Sequence, residues 1–274
     1  MAQVSLQMAS AGEEALVRAA KAIAGAQRCV VFSGAGSSAD SGIGTFRGTD
    51  GTWSGIWGSL ALLWGGTPIG WRWTPGYVWS RFVLDFYAPI AAAEPHAGLH
   101  ALTKLQRERF QGAARMQFVT MNVDSLHQMA GSDAVAEVHG SVQRFRCSSC
   151  GNRASPQLPL DAKRQPRCEG CGGRMRPDVT LFLEGLPEDQ WDAACTAIGA
   201  LRPGDVMLVV GTSSVVYPAA HLPSDAKRRG ATIIEFNLDV PSPLSDIVDI
   251  SVQGRACETL PTCVKMALGQ MRME

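Results

Sequence analysis

The chain has 274 residues and a formal net charge of +0, with 25 Lys+Arg balanced by 25 Asp+Glu, which leaves no basic footprint for nucleic acid or an anionic membrane. That length suits one large domain or one domain with a smaller insertion, and no apolar run approaches the ~20 residues of a membrane span. Eight irregularly spaced cysteines do not make a secreted disulfide framework, and the N-terminus lacks a charged-then-apolar leader, so a reducing, cytoplasmic setting is expected.

Residues 12–26 combine strong helix formers with apolar positions at helical spacing and predict a helix. Cys29-Val30-Val31-Phe32 then reads as a buried parallel strand opening into Gly34-Ala35-Gly36-Ser37-Ser38-Ala39. This is the G-x-G-x-x-A form of a dinucleotide turn: the first glycine for the turn, the second for close phosphate approach, and a following helix N-terminus facing the phosphates. No acidic residue stands at the usual next strand end to hold a ribose, which disfavours an ordinary hydride-transfer domain. Arg47, in the Gly42–Gly48 run, is a candidate to pair with phosphate, a surface salt bridge being its competing role.

Residues 53–79 hold six of the seven tryptophans, Trp53, Trp57, Trp64, Trp71, Trp73 and Trp79, and interrupt the alternating pattern. Aromatic cover for apolar surface explains them at least as well as ligand contact. A helix is predicted over 94–108, a strand over Phe118–Thr120 and a helix over 125–131. At the strand's end Asn122 and Asp124 are two residues apart, so in extended backbone both point toward one polar ligand; capping of a turn is the competing role. His139-Gly140 follows, and beside a nucleotide cleft this histidine is a candidate general base.

Cys147-x-x-Cys150 and Cys168-x-x-Cys171 form two knuckles able to hold one Zn²⁺ through four thiolates. With every position sulfur, no water is activated, so the zinc is structural. The remaining thiols, Cys29, Cys195, Cys257 and Cys263, sit in apolar or helical contexts and are expected to be buried. Helices are predicted over 188–201 and 217–229, with Lys227-Arg228-Arg229 as a solvated helix end. Strands are expected over Val206–Val210, leading into Gly211-Thr212-Ser213-Ser214, and over Thr232–Phe236, ending at Asn237. Alternating strands and helices imply an α/β fold, a doubly wound parallel sheet with ligands beyond the strands' carboxyl ends. We expect 12–55, 95–142 and 177–274 to form this Rossmann-like domain, and 56–94 with 143–176 to form a small domain of helical insertion and zinc module.

Together these residues resemble the sirtuin family of NAD-dependent protein deacylases, over about residues 20 to 265. Gly34–Ile43 is similar to the family's first NAD-binding stretch and Phe46-Arg47 to the pair that follows it. Asn122-Val123-Asp124 resembles the Asn-Ile-Asp lining the nicotinamide pocket, and Val138-His139-Gly140 the catalytic His-Gly. Gly211–Pro218 and Glu235-Phe236-Asn237 resemble the phosphate and adenosine-ribose elements, and Gly254-Arg255-Ala256-Cys257 the adenine loop. The resemblance implies that NAD is bound through Gly34, Ala35, Gly36, Ser38, Phe46, Arg47, Asn122, Val123, Asp124, Gly211, Thr212, Ser213, Asn237 and Cys257. It also implies that His139 is the general base, that Asn122 positions ribose or water, and that an acyl group passes from a protein lysine to ADP-ribose as nicotinamide is released. A monomer without nucleic-acid or membrane partners is expected.

The wording is closest to the branch that removes succinyl groups, through Thr45–Gly48, Tyr217–Ala220 and the Gln253–Pro261 tail. That branch carries a Tyr-x-x-Arg carboxylate clamp. Counting back from Glu94-Pro95, the corresponding positions here are Val83 and Phe86, so the acyl pocket is expected to be apolar and the preferred acyl group neutral. Val83, Phe86, Val179, Phe182 and Leu183 are the expected substrate-side residues. Two departures stand out. Met121 replaces a glutamine, and Leu183 stands where a glycine is usual in the peptide-binding Phe-Gly-Glu. They keep open a mono-ADP-ribosyltransferase or NAD glycohydrolase, and more remotely a non-catalytic NAD-binding module.

Overall fold

The computed structural model describes residues 2–44, 64–83, 87–154 and 164–270. In chain order the strands are β1 Cys29–Ser33, β2 Met116–Thr120, β3 Val135–Glu137, β4 Gly140–Cys147, β5 Arg153–Ala154, β6 Met175–Val179, β7 Val206–Val210, β8 Thr232–Asn237 and β9 Ile250–Gln253. Among the described residues, six of them form one parallel sheet in the order β3-β2-β1-β7-β8-β9. After β1 the chain builds toward β3 on one side. It later returns to add β7, β8 and β9 on the other, so the order reverses between β1 and β7. In such sheets ligands bind where the strand tips diverge at this point.

The helices are α1 Ala2–Gly25, α2 Pro68–Trp73, α3 Pro75–Phe82, α4 Ala88–Ala91, α5 Ala97–Glu108, α6 Leu126–Met129, α7 Glu188–Gly199, α8 Leu222–Arg228 and α9 Ala256–Gln270. Strand side chains alternate between two apolar layers, as a period of two requires. Cys29, Val31, Phe118, Leu208 and Ile234 pack with α1, α5 and α9 on one face. Val30, Phe32, Val119, Met207 and Ile233 pack with α7 and α8 on the other. The predicted helix over 217–229 is a 3-10 turn, Ala219–His221, followed by the short α8 with Pro223 in its first turn. The cluster Lys227–Arg229 does end a helix, with Lys227 paired to Asp249 and Arg228 to Asp225.

A second sheet, β5-β4-β6, is antiparallel. It carries its own apolar cluster, in which Trp71, Trp79, Phe82 and Tyr87 of the insertion pack on Phe145, Met175 and the zinc-module cysteines Cys147 and Cys168. Trp79 and Phe82 stand 6.0 and 6.3 Å from the Phe145 ring. Trp71 and Trp79 are therefore core residues, whereas Trp64 and Trp73 are exposed; Trp53 and Trp57 lie outside the described residues. The expectation of four buried thiols holds for Cys29 and Cys263 only. Cys195 is exposed on α7 and Cys257 is half-buried at the start of α9.

Candidate active site

The glycine turn after β1 departs from the expected strand-turn-helix. Two 3-10 turns, Ala35–Ser37 and Ala39–Ser41, follow Gly34, and no α-helix begins among residues 34–44. The glycines also have a packing role that their spacing does not suggest. Gly36 N–H donates to Gly211 O at 2.8 Å, and a Cβ on Gly36 would lie 2.8 Å from that same oxygen. Gly211 has φ +56°, and a Cβ there would meet Ser37 N at 2.2 Å. The space freed by the missing side chains is filled by backbone, which lets the tips of β1 and β7 close directly on each other.

Against this seam stands the tip of β2. Asn122 is buried, and its Nδ2 lies 3.0 Å from Gly34 O, 3.1 Å from Ser37 Oγ and 2.9 Å from Ser38 Oγ. Ser38 Oγ donates to Asp124 Oδ2 at 2.7 Å, and Leu126 N–H donates to Oδ1 at 2.9 Å. Asn122 and Asp124 thus meet at Ser38, and Asp124 also plays the competing role of capping the turn into α6 through Leu126. Burial pushes the Asp124 carboxyl above the ordinary aspartate range; the hydrogen bonds from Leu126 and Ser38 oppose this, and the charge of Glu137 adds to it. Val123 O accepts from Val142 N–H at 2.9 Å, pinning this tip to β4.

His139 occupies the turn between β3 and β4, half-buried. Its carbonyl accepts from Thr180 N–H at 2.9 Å. Burial lowers its pKa, so the imidazole is neutral near pH 7 and able to take a proton. Gly140 follows at φ +78°, where a Cβ would come within 1.9 Å of Asp178 O. Only glycine lets β4 approach β6 there, and that approach sets the turn carrying the histidine.

At the β7 and β8 tips, Thr212 Oγ1 accepts from Ser214 N–H at 3.0 Å. Ser213 is exposed. Asn237 Nδ2 donates to Glu235 Oε1 at 3.3 Å and lies 3.5 Å from Thr212 O. Ser214 Oγ is buried without a partner. This set of hydroxyls and amides at one sheet edge suits the phosphate and ribose oxygens of a dinucleotide. Cys257 joins the edge through its N–H, which donates to Asp40 Oδ2 at 2.9 Å. Phe46, Arg47 and Phe86 lie outside the described residues.

Val83 is buried among the aromatics of the insertion. Val179 ends β6 opposite Gly140. Phe182 N–H donates to Gly66 O at 2.7 Å, and Leu183 is 93% exposed at φ +73°. Glu184 fixes this turn by accepting from Arg146 at 2.7 Å, Arg176 at 2.5 Å and Leu181 N–H at 3.0 Å.

The four knuckle sulfurs lie within 4.8 Å of one another. Cys147–Cys171 is 3.5 Å, Cys150–Cys168 3.8 Å and Cys150–Cys171 3.4 Å. Tetrahedral zinc with ~2.3 Å Zn–S bonds spaces its sulfurs about 3.8 Å apart, whereas disulfide sulfurs would be ~2.05 Å apart, so the residues fit a zinc ion. Cys147 and Gly140 stand at opposite ends of β4, and their partners Met175 and Val179 on β6 are four residues apart, about 13 Å at strand rise. The four sulfurs therefore lie at the other end of the strand from His139.

Sequence reasoning missed three polar residues that hold these tips. His96 Nε2 lies 2.7 Å from Ser37 O while its Nδ1 accepts from Gly98 N–H at 3.0 Å, which makes Nε2 the donor and caps α5. His127 Nε2 bonds Ser33 Oγ at 2.9 Å, and Ser33 spends its own hydrogen on Thr120. Its Nδ1 is buried and bare, and burial first, then the charge of His96, lower its pKa to about 4. Glu137, buried on β3, accepts from Ser125 Oγ at 2.7 Å and from Arg144 at 2.5 Å. A histidine beside a strand tip is the one signal that could have flagged His127.

A model of the Sir2 family matches residues 34–218. NAD-dependent protein deacylase 2 of Pyrobaculum aerophilum is 40% identical over 250 residues, spanning 91% of this chain and 95% of its own. A solved Sir2 homologue–NAD complex superposes with TM-score 0.80 at 36% identity, covering 92% of this chain and 93% of that one. A Sir2 protein bound to a myristoylated histone peptide superposes with TM-score 0.71 at 29% identity, covering 96% of this chain and all of that one (100%).

Proposed function

Because the chain belongs to the Sir2 family, we propose that it is an NAD-dependent protein-lysine deacylase with His139 as its base. NAD supplies a ribose carbon that accepts the acyl oxygen as nicotinamide departs, so the products are free lysine, nicotinamide and O-acyl-ADP-ribose. The observation that carries the reading is the convergence of β1, β2 and β7 tips. Asn122, Asp124 and Ser38 share one hydrogen-bonded cluster, and the same strand tip is tied through Val123 and Val142 to the β4 hairpin that starts with His139-Gly140.

In this reading Ser38, Gly34 to Gly36 and Gly211 to Ser213 receive the pyrophosphate with Arg47, and Phe46 covers it. Asn237 and Cys257 take the adenosine end, and Val123 with Asp124 orients the nicotinamide. Neutral His139 takes a proton from a ribose hydroxyl, and Asn122 holds ribose or the attacking water. The zinc held by Cys147, Cys150, Cys168 and Cys171 stays out of the chemistry. We divide the chain into a Rossmann-like lobe of 12–55, 95–142 and 177–274 and a small lobe of 56–94 and 143–176; the separate apolar cluster around Phe145 supports this.

The substrate is an acylated protein lysine lying along Val179, Phe182 and Leu183, its acyl chain near Val83 and Phe86. With apolar residues at both acyl positions, a succinyl carboxylate would be buried unpaired at a cost of several kcal/mol, so acetyl or longer neutral groups are preferred. No helix among the described residues is long and apolar enough to cross a membrane. We place the enzyme in the cytoplasm as a monomer. Matched acetyl-, succinyl- and myristoyl-lysine peptides with NAD, reading nicotinamide and freed lysine together, test the assignment. His139→Ala should lose at least ~10²-fold in rate while NAD still binds. An undiminished rate removes His139 from its role, and faster succinyl than acetyl turnover removes the neutral-acyl preference. Nicotinamide release without any acyl peptide would point to a glycohydrolase.

A further inference from the structure

Asp40 is joined to residues 215 and 217 positions away in the chain. Arg255 Nε and Nη2 both donate to Asp40 Oδ1, at 2.9 and 2.8 Å, while the Cys257 amide donates to Oδ2 at 2.9 Å. Asp40 lies in the second 3-10 turn after β1, and Arg255 and Cys257 lie just beyond β9. In the sheet, β7 and β8 separate β1 from β9. Three strand spacings amount to about 14 Å, so this one carboxylate ties together loops from strands that never touch.

The reason lies in how α9 begins. A helix leaves its first amides without intrahelical acceptors, and they are normally met by an oxygen-bearing side chain at the N-cap. Here the residue preceding Ala256 is Arg255, which has no acceptor to offer. Asp40 supplies the missing oxygen from the far loop, and its negative charge also suits the positive end of a 15-residue helix. The same carboxylate then holds the arginine. Burial works against its ionisation, but the Cys257 amide and Arg255 guanidinium outweigh that and hold the Asp40 carboxyl below the usual range. On the far side Gly254 N–H donates to Asn237 O at 3.0 Å, continuing the tie to the β8 tip.

We propose that Asp40 is a positioning residue for the adenosine end of NAD. By latching the dinucleotide turn to the 254–257 loop, it sets the width of the cleft over the β7 and β8 tips before the dinucleotide arrives. The inference rests on the functional reading above, in which that edge binds NAD.

The test is calorimetric binding of NAD to the full-length protein and its variants, with steady-state kinetics and amide exchange of the NAD-free protein. Asp40→Ala should weaken NAD binding about tenfold and raise the KM for NAD in parallel, with kcat at saturating NAD falling no more than about twofold. The Cys257 amide should exchange faster in the NAD-free variant. Arg255→Met, which changes an exposed side chain and so spares the fold, should weaken binding about threefold alone and by nothing further when added to Asp40→Ala. Unchanged affinity in both variants, even with a lowered melting temperature, would make Asp40 a helix cap only and overturn the proposal; so would additive effects of the two substitutions. If the unsubstituted protein binds no NAD, the functional reading falls and this inference falls with it, whereas normal binding in the parent and in Asp40→Ala overturns this inference alone.

Discussion

The two sheets of this molecule are held together by opposite means. At the carboxyl edge of the parallel sheet, backbone packs on backbone: Gly36 and Gly211 meet at 2.8 Å, and a small set of hydroxyls, amides and the Asp124 carboxyl wires the strand tips together, with Asp40 and Arg255 as the edge's one charged pair among the described residues. In the antiparallel sheet, bulky aromatics, arginine–carboxylate pairs and four thiols do the same work. The first arrangement leaves no room for a Cβ at Gly34, Gly36 or Gly211. The second tolerates irregular segments because a metal and large rings supply stability where regular structure is sparse. A reaction site needs the former, and the support beside it can be the latter.

Removing the metal should break this contrast most visibly. Structural zinc contributes on the order of 10 kcal/mol to small modules, so chelation or Cys168→Ser should unfold the β5-β4-β6 sheet and expose Trp71 and Trp79, read as a red shift in tryptophan fluorescence. The β1 and β7 amides should keep their exchange protection. Retention of the native emission in metal-free protein would show that the small sheet does not depend on the ion.

At the other seam, Gly211→Ala adds one methyl at φ +56° against Ser37 N. It should cost about 2–4 kcal/mol in denaturant unfolding, from clash and backbone strain together, and should abolish NAD binding. The matching change Gly185→Ala, which meets nothing within 4 Å, should cost under ~1 kcal/mol. Equal effects at the two positions would mean that the glycine seam is not what shapes the site.

His127 sharpens the comparison through pH. Its folded pKa of about 4 lies below the ordinary 6.5, so the unfolded chain binds the proton more readily. The contribution of neutral His127 is complete above pH ~6.5 and is lost as pH falls toward 4, by up to ~3 kcal/mol. His127→Gln should flatten the stability curve across that interval; an unaltered slope would exclude the histidine as its source. The smallest effect is expected at Leu183, where a left-handed non-glycine residue stores ~1–2 kcal/mol. Leu183→Gly should raise stability by up to about 1 kcal/mol, less the added freedom of the unfolded chain, and a clear loss would show that the exposed side chain has a partner.

How much of this was legible beforehand differs by element. The strands β1, β7 and β8 were readable because apolar runs ending in Gly or Asn carry their own signal. β4 was not, since Gly-Ser-Val-Gln-Arg-Phe-Arg-Cys alternates poorly and is a strand only because β6 pairs with it. The four-cysteine cluster was readable from spacing alone, whereas His139-Gly140 stood out only beside the expected nucleotide cleft and through the resemblance. The Asp40 latch, the His127 network and the role of Glu137 were not, because each joins residues whose separation along the chain carries no periodicity. The glycine turn was readable as a turn, but its close packing against the β7 loop was not, since Gly211 stands 175 residues after Gly36.

Local patterns by themselves determined the class of fold and which four cysteines cluster, because apolar period, glycine turns and paired CxxC knuckles are short-range features with direct physical meaning. Tertiary structure alone decided that two glycine loops would interlock, that one carboxylate would cap a helix 217 residues away, and which cysteines would face solvent. Those outcomes depend on which strands become neighbours, and that is settled by the free energy of the whole sheet and its two apolar layers.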